Sequence, residues 1–117
     1  MKKTSILNNL VYGENYPLVT LLSETDGGRE LRVTFKRGQL MRRHKTPYRI
    51  TVEVFAGEIL FSAGDKKVLL KRGDMLSLEG GILHELLAKH NSILRLTQFT
   101  HRQNEAVYSQ GVLASLN

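Results

Sequence analysis

The sequence contains no cysteine. A disulfide framework, a cysteine zinc site, an iron–sulfur cluster and a cysteine nucleophile are thereby excluded. It has two prolines, Pro17 and Pro47, neither set among long helical patterns. No run approaches the roughly 20 apolar residues of a membrane-spanning helix, so no membrane partner is expected. The start, Met1-Lys2-Lys3-Thr4-Ser5-Ile6-Leu7, opens like a secretion signal, but its apolar run stops at Asn8-Asn9. That is short of the roughly 7–15 residues such a region needs. The sequence reads as that of a soluble, cytoplasmic protein.

What remains is ordinary for one globular unit. Of 117 residues, 41% are hydrophobic and 24% charged, which suits a single domain over 1–117 with one buried core. Lys and Arg total 17 against 11 Asp and Glu, a net charge of +6. Such a balance permits an acidic partner without demanding one.

Glycine supplies the punctuation. Asp26-Gly27-Gly28, Gly57, Gly64-Asp65, Gly73-Asp74 and Gly80-Gly81 recur at short intervals, with apolar or β-branched runs between them. That pattern predicts many short strands joined by tight turns, as in a sandwich or barrel. Strands are expected over 16–24, 29–36, 48–55, 58–63, 66–71, 75–78, 82–87 and 91–100, about eight or nine in all. Leu31, Val33 and Phe35 alternate with Arg32, Thr34 and Lys36, and Ile50, Val52 and Val54 with Thr51, Glu53 and Phe55. This is the two-residue period of a half-buried strand. Helices have room only at the ends, as short elements over 4–11 and over 103–116, where Gly111 interrupts a partly periodic run.

Two spaced motifs run through this pattern. Gly38 precedes His44 by five intervening residues, and Gly57 follows a valine-rich strand. Gly73-Asp74 leads to Gly81, two further residues and His84. Together, in this order and with strands between, they resemble the two motifs of the cupin family, small jelly-roll barrels also described as RmlC-like double-stranded β-helices. The resemblance covers residues 30–99 and implies an all-β fold, a single cupin-type barrel whose core spans about that range. It also implies association as a homodimer. The segments 4–22 and 107–116 are the candidate contacts, since sheet edges call for cover.

The departures from the motifs shape the functional expectation. In metal-binding cupins, two histidines and a glutamate of the first motif join a histidine of the second. Here His44 and His84 match, but Thr46 stands at the second histidine and Ile50 at the glutamate; Glu79 replaces a proline and Ala88 an asparagine. His44, Thr46, Ile50, Val52 and Val54 share one parity and should face one interior. An isoleucine at the carboxylate position leaves two imidazoles where about three ligands are needed. His90 and His101 are expected at the surface, and Glu53 and Glu85 have outward parity. The expected site is therefore a ligand pocket formed by Arg42, His44, Thr46, Tyr48, Ile50, Val52, His84 and Leu86, with no metal or other cofactor. Arg42 enters by sharing His44's parity, where it could meet an anionic ligand, although a rim ion pair suits it as well.

Three functions fit. The first is a small-molecule-binding or accessory protein holding its ligand in the barrel. The second is a metal-dependent enzyme of dioxygenase or isomerase type, using His44 and His84 with a non-standard ligand set. The third is an anion or nucleic-acid binder using the basic residues Lys36, Arg37, Arg42, Arg43, Lys45 and Arg49 with Lys66, Lys67, Lys71 and Arg72. Only Tyr48 stands among the first of these as a stacking aromatic, so no nucleic-acid partner is expected. No Gly-x-Ser-x-Gly elbow supports a hydrolase, and Gly80-Gly81 lacks the Lys-Ser/Thr of a phosphate loop.

Overall fold

The computed structural model describes residues 1–100. Among them are nine strands and no helix: β1 (Leu18–Thr25), β2 (Gly28–Phe35), β3 (Leu40–His44), β4 (Ile50–Ala56), β5 (Glu58–Ala63), β6 (Lys66–Lys71), β7 (Met75–Leu78), β8 (His84–Ala88) and β9 (Ser92–Phe99). Eight of these are the strands expected from alternation, and β5, β6 and β7 keep the expected bounds. The ninth, β3, has no such signal, because its LMRRH carries two exposed arginines in succession. The helix expected over 4–11 is instead irregular chain with a turn at Asn8-Asn9, and Asn9 has a left-handed φ of 52°. The segment 103–116, expected to be helical and in part to form a dimer contact, lies outside the described residues.

The strands form two antiparallel sheets, ordered β1-β2-β9-β4-β7 and β3-β8-β5-β6. Short connections cross between the sheets at one end: 36–39 join β2 to β3, 89–91 join β8 to β9, and Gly57 alone joins β4 to β5. The two orders therefore run in step. β2 faces β3, β9 faces β8, β4 faces β5 and β7 faces β6, and among the described residues β1 has no strand opposite it.

Gly57 makes the tightest of these crossings. Its φ of +88° lies in the left-handed region, and a Cβ there would run into the Asn91 carbonyl and the Ser92 hydroxyl. Only glycine fits both demands.

The facing sheets bury Val33, Phe35, Val52, Val54, Ile59, Phe61, Leu86 and Leu94, each at most 2% exposed. Each such side chain contributes roughly 1.5–3 kcal/mol by leaving water. The alternation read on β4 is obeyed: Ile50, Val52 and Val54 are buried and Phe55 is exposed.

β2 breaks the half-buried pattern, being buried on both faces from Leu31 to Phe35. The cause is residues 6–13, which lie over the outer face of this same barrel. Arg32, 3% exposed, donates from Nη1 to the carbonyls of Ile6 (3.1 Å) and Asn8 (2.7 Å) and from Nη2 to that of Asn9 (3.2 Å). Thr34 donates to the Val11 carbonyl at 2.6 Å and Gln39 to that of Gly13 at 2.9 Å. Arg32 and Thr34 on the solvent parity of β2, with Gln39 beyond it, thus become fasteners for the N-terminal segment by donating to its backbone carbonyls.

Candidate functional site

Connections 26–27, 45–49, 64–65 and 79–83 all lie at the other end of the barrel, and of these 45–49 and 79–83 also pass between the sheets. At this mouth His44, the last residue of β3, and His84, the first of β8, are direct cross-strand partners. Their ring centroids are 4.3 Å apart at 57°. Phe61 of β5 stacks on His84, at 5.6 Å and 7°. His84 is buried and His44 half-buried.

Each ring is tied to backbone. His44 Nδ1 donates to the Arg42 carbonyl at 2.7 Å, and His84 Nδ1 to the Ile82 carbonyl at 2.9 Å. A carbonyl only accepts, so these bonds place a proton on Nδ1, and in the neutral form of either ring Nε2 is the acceptor. Burial pushes the His84 pKa below the usual histidine value; the Ile82 carbonyl opposes this and neighbouring His44 adds to it. The site therefore favours a neutral imidazole at position 84.

β3 carries a bulge. Met41 pairs with Leu86 while His44 pairs with His84, so three steps on β3 match two on β8. The extra residue reverses the parity between the two positions. Met41 packs on the core, and Arg42 is exposed instead of sharing an enclosed face with His44. Arg43, equally exposed, lies 3.8 Å from Glu85, a surface pairing of small energetic weight.

The other expected residues separate into two groups. Ile50, Val52 and Leu86 are sealed in the core at 3%, 1% and 2% exposure. Thr46 and Tyr48 belong to the connection at the mouth. The Thr46 hydroxyl donates to the Tyr48 carbonyl at 2.8 Å, and the Thr46 carbonyl accepts from Gly81 at 2.7 Å. Tyr48 is 37% exposed. Ile82, in the connection that precedes β8, is 38% exposed. His90 is a surface residue 4.0 Å from Glu58, and His101 lies outside the described residues.

Two clefts open at this end. One, of about 270 Å³, lies beside His84 between Arg43, Ser62, Lys67 and Glu85. The other, of about 350 Å³, is lined by Arg29, Thr46, Tyr48, Gln98 and Phe99, with Glu24 at its side. Arg29 and Gln98 were not among the expected site residues. Their signal is parity: Arg29 continues Leu31 and Val33, and Gln98 continues Leu94 and Leu96, each as the last inward position of its strand.

The donor set does not fit a metal held by the usual three or more protein ligands. Among the described residues no group of three His, Asp or Glu is placed to share an ion. The side chain at the carboxylate position is Ile50, packed in the hydrophobic core. Two imidazole Nε2 atoms are what the site offers.

Two facing antiparallel sheets, strands stacked in step and a histidine pair at one mouth define a cupin-type double-stranded β-helix. Solved structures agree. The chain is similar to an RmlC-like cupin protein from Desulfovibrio desulfuricans, with 22% identity, a TM-score of 0.77, and 85% of this chain and 96% of that one covered. It is similar to a cupin superfamily protein from Desulfitobacterium hafniense, with 16% identity, a TM-score of 0.74, and coverage of 86% and 94%. A conserved protein with a double-stranded β-helix domain from Klebsiella pneumoniae gives 19% identity, a TM-score of 0.75, and coverage of 85% and 89%. At these identities the likeness establishes the fold. No protein-family model and no curated protein matches the sequence.

Proposed function

We propose that this protein binds a small polar organic molecule at the mouth of its barrel, against Nε2 of His44 and His84, without a resident metal. One observation carries the reading. Both rings spend Nδ1 on backbone carbonyls, and two imidazoles with centroids 4.3 Å apart thus keep Nε2 for a ligand at one end of the barrel. An apolar pocket with a few convergent polar groups is the common form of a ligand site. Among the described residues β1 is an edge strand of its sheet, and with Val19 49% and Leu21 52% exposed it supports pairing with a second copy of the chain.

The test uses protein purified without chelators. Elemental analysis is expected to give metal well below one equivalent. Stoichiometric Ni, Fe, Mn or Zn that is lost in His44→Ala would replace this reading with that of a metal-dependent enzyme. A ligand found by thermal-shift screening should lose its effect in His84→Ala; if that variant binds every hit normally, the histidine mouth is not the site. Light scattering at micromolar concentration should report a dimer, and a monomer removes that part of the proposal.

A further inference from the structure

The N-terminal segment does more than cover β2. Between it and the outer face of β1 runs a groove of about 490 Å³. On its floor are Leu18, Thr20 and Leu22, alternate residues of β1, and Arg32 of β2, the cross-strand partner of Thr20. Lys3 and Ser5 stand on its N-terminal wall, and no acidic residue lines it. It shares no lining residue with the two clefts at the histidine mouth.

Arg32 sets the electrostatics of this groove. It is 3% exposed and enters none of the ion pairs of the described residues. Glu30 and Glu53, on the same face of the sheet, both turn to Arg95, which pairs with Arg32 across the strands. The carbonyls of Ile6, Asn8 and Asn9 take up Nη1 and Nη2 of Arg32, while Nε is buried with no hydrogen-bond partner among the described residues. Its charge is thus hydrogen-bonded but not neutralised. A buried charge in that condition favours an anion close by, because little water screens it.

We propose that this groove is a second binding site, for a carboxylate with a short apolar body. The carboxylate lies against Lys3 and the hydroxyls of Ser5 and Thr20, and the body lies along Leu18 and Leu22. Ser5 Oγ accepts from the Leu7 N–H at 3.1 Å, so its own proton remains to donate. Arg32 stays in its cradle of carbonyls and acts through its field. The ligand bridges the N-terminal segment to β1 and so strengthens the fastening that Arg32 begins.

The experiment titrates the full chain with hexanoate, butanoate, hexanol and inorganic phosphate by calorimetry at fixed ionic strength. Hexanoate should bind about tenfold more tightly than butanoate, from its two extra methylenes, and about tenfold more tightly than neutral hexanol. Thr20→Val should weaken hexanoate about tenfold and Lys3→Gln about threefold. Saturating hexanoate should slow proteolysis within residues 1–13, and His84→Ala should leave its affinity unchanged. Hexanol binding as tightly as hexanoate, phosphate competing as well as hexanoate, or no hexanoate binding below millimolar concentration overturns the ligand class. Affinity unchanged in both Thr20→Val and Lys3→Gln overturns the groove as the site. Affinity lost in His84→Ala moves the carboxylate to the mouth and also overturns it, whereas failure of the groove leaves the histidine reading standing.

Discussion

His44 and His84 are cross-strand partners held by the same device: each Nδ1 donates to the carbonyl two residues before it, at 2.7 Å for Arg42 and 2.9 Å for Ile82. The local backbone, not the opposing ring, sets each tautomer. Replacing one histidine therefore leaves the other oriented, and single variants report on single rings.

The buried ring makes stability depend on pH. The folded-state pKa of His84 lies below its unfolded value of 6.5, so the folded protein disfavours the proton. Stability is full above 6.5 and falls as pH drops from there through the lowered folded pKa, with a slope of at most about 1.4 kcal/mol per pH unit for one group. Urea unfolding between pH 8 and pH 5 should show this loss. His84→Phe should remove its share, and an unchanged profile in that variant would count against His84 as the source.

Installing the ligand residues of the metal-binding cupin motif should create a metal site. Ile50→Glu alone places a carboxylate at a 3% exposed position and is expected to cost more than about 2 kcal/mol. Combined with Thr46→His, it completes three histidines and a glutamate. The double variant should take up one divalent ion by elemental analysis and regain thermal stability on metal addition. A double variant that folds yet binds no metal would show that the mouth geometry has drifted from that of a metal site.

Arg32 should act as a fastener. Arg32→Leu removes three hydrogen bonds from a charged donor to the Ile6, Asn8 and Asn9 carbonyls. A loss of about 2–3 kcal/mol is expected. Limited proteolysis should cut within residues 1–13 faster than in the parent, with the barrel remaining intact. An unchanged cleavage rate would mean that Thr34 and Gln39 suffice.

Much of the fold was legible because two-residue alternation and glycine turns report directly on strands. Ile50, Val52 and Val54 fell on the buried face of β4, and the spacing of Gly38, His44, Gly73, Gly81 and His84 brought both histidines to one mouth. β3 was not legible, since Arg42 and Arg43 give no alternation and a bulge lies between Met41 and His44. The same bulge separated Arg42 from the site, because parity arguments assume an unbroken pleat. Arg32 read as a solvent-facing residue because nothing local signals that residues 6–13 cover it. Arg29 and Gln98 carry the inward parity of their strands, but neither stands at a position of the two cupin motifs.

One strand more in one sheet than in the other has a dynamic consequence. β1 can peel from β2 without exposing any facing strand, whereas opening β2, β9 or β4 uncovers the core. The β1 amides should therefore exchange with solvent through a local opening of lower free energy than global unfolding, ahead of those in β9 and β4. Since β1 pairs directly with the strand bearing Arg32 and Arg29, this opening loosens the N-terminal fastening and one wall of the mouth together.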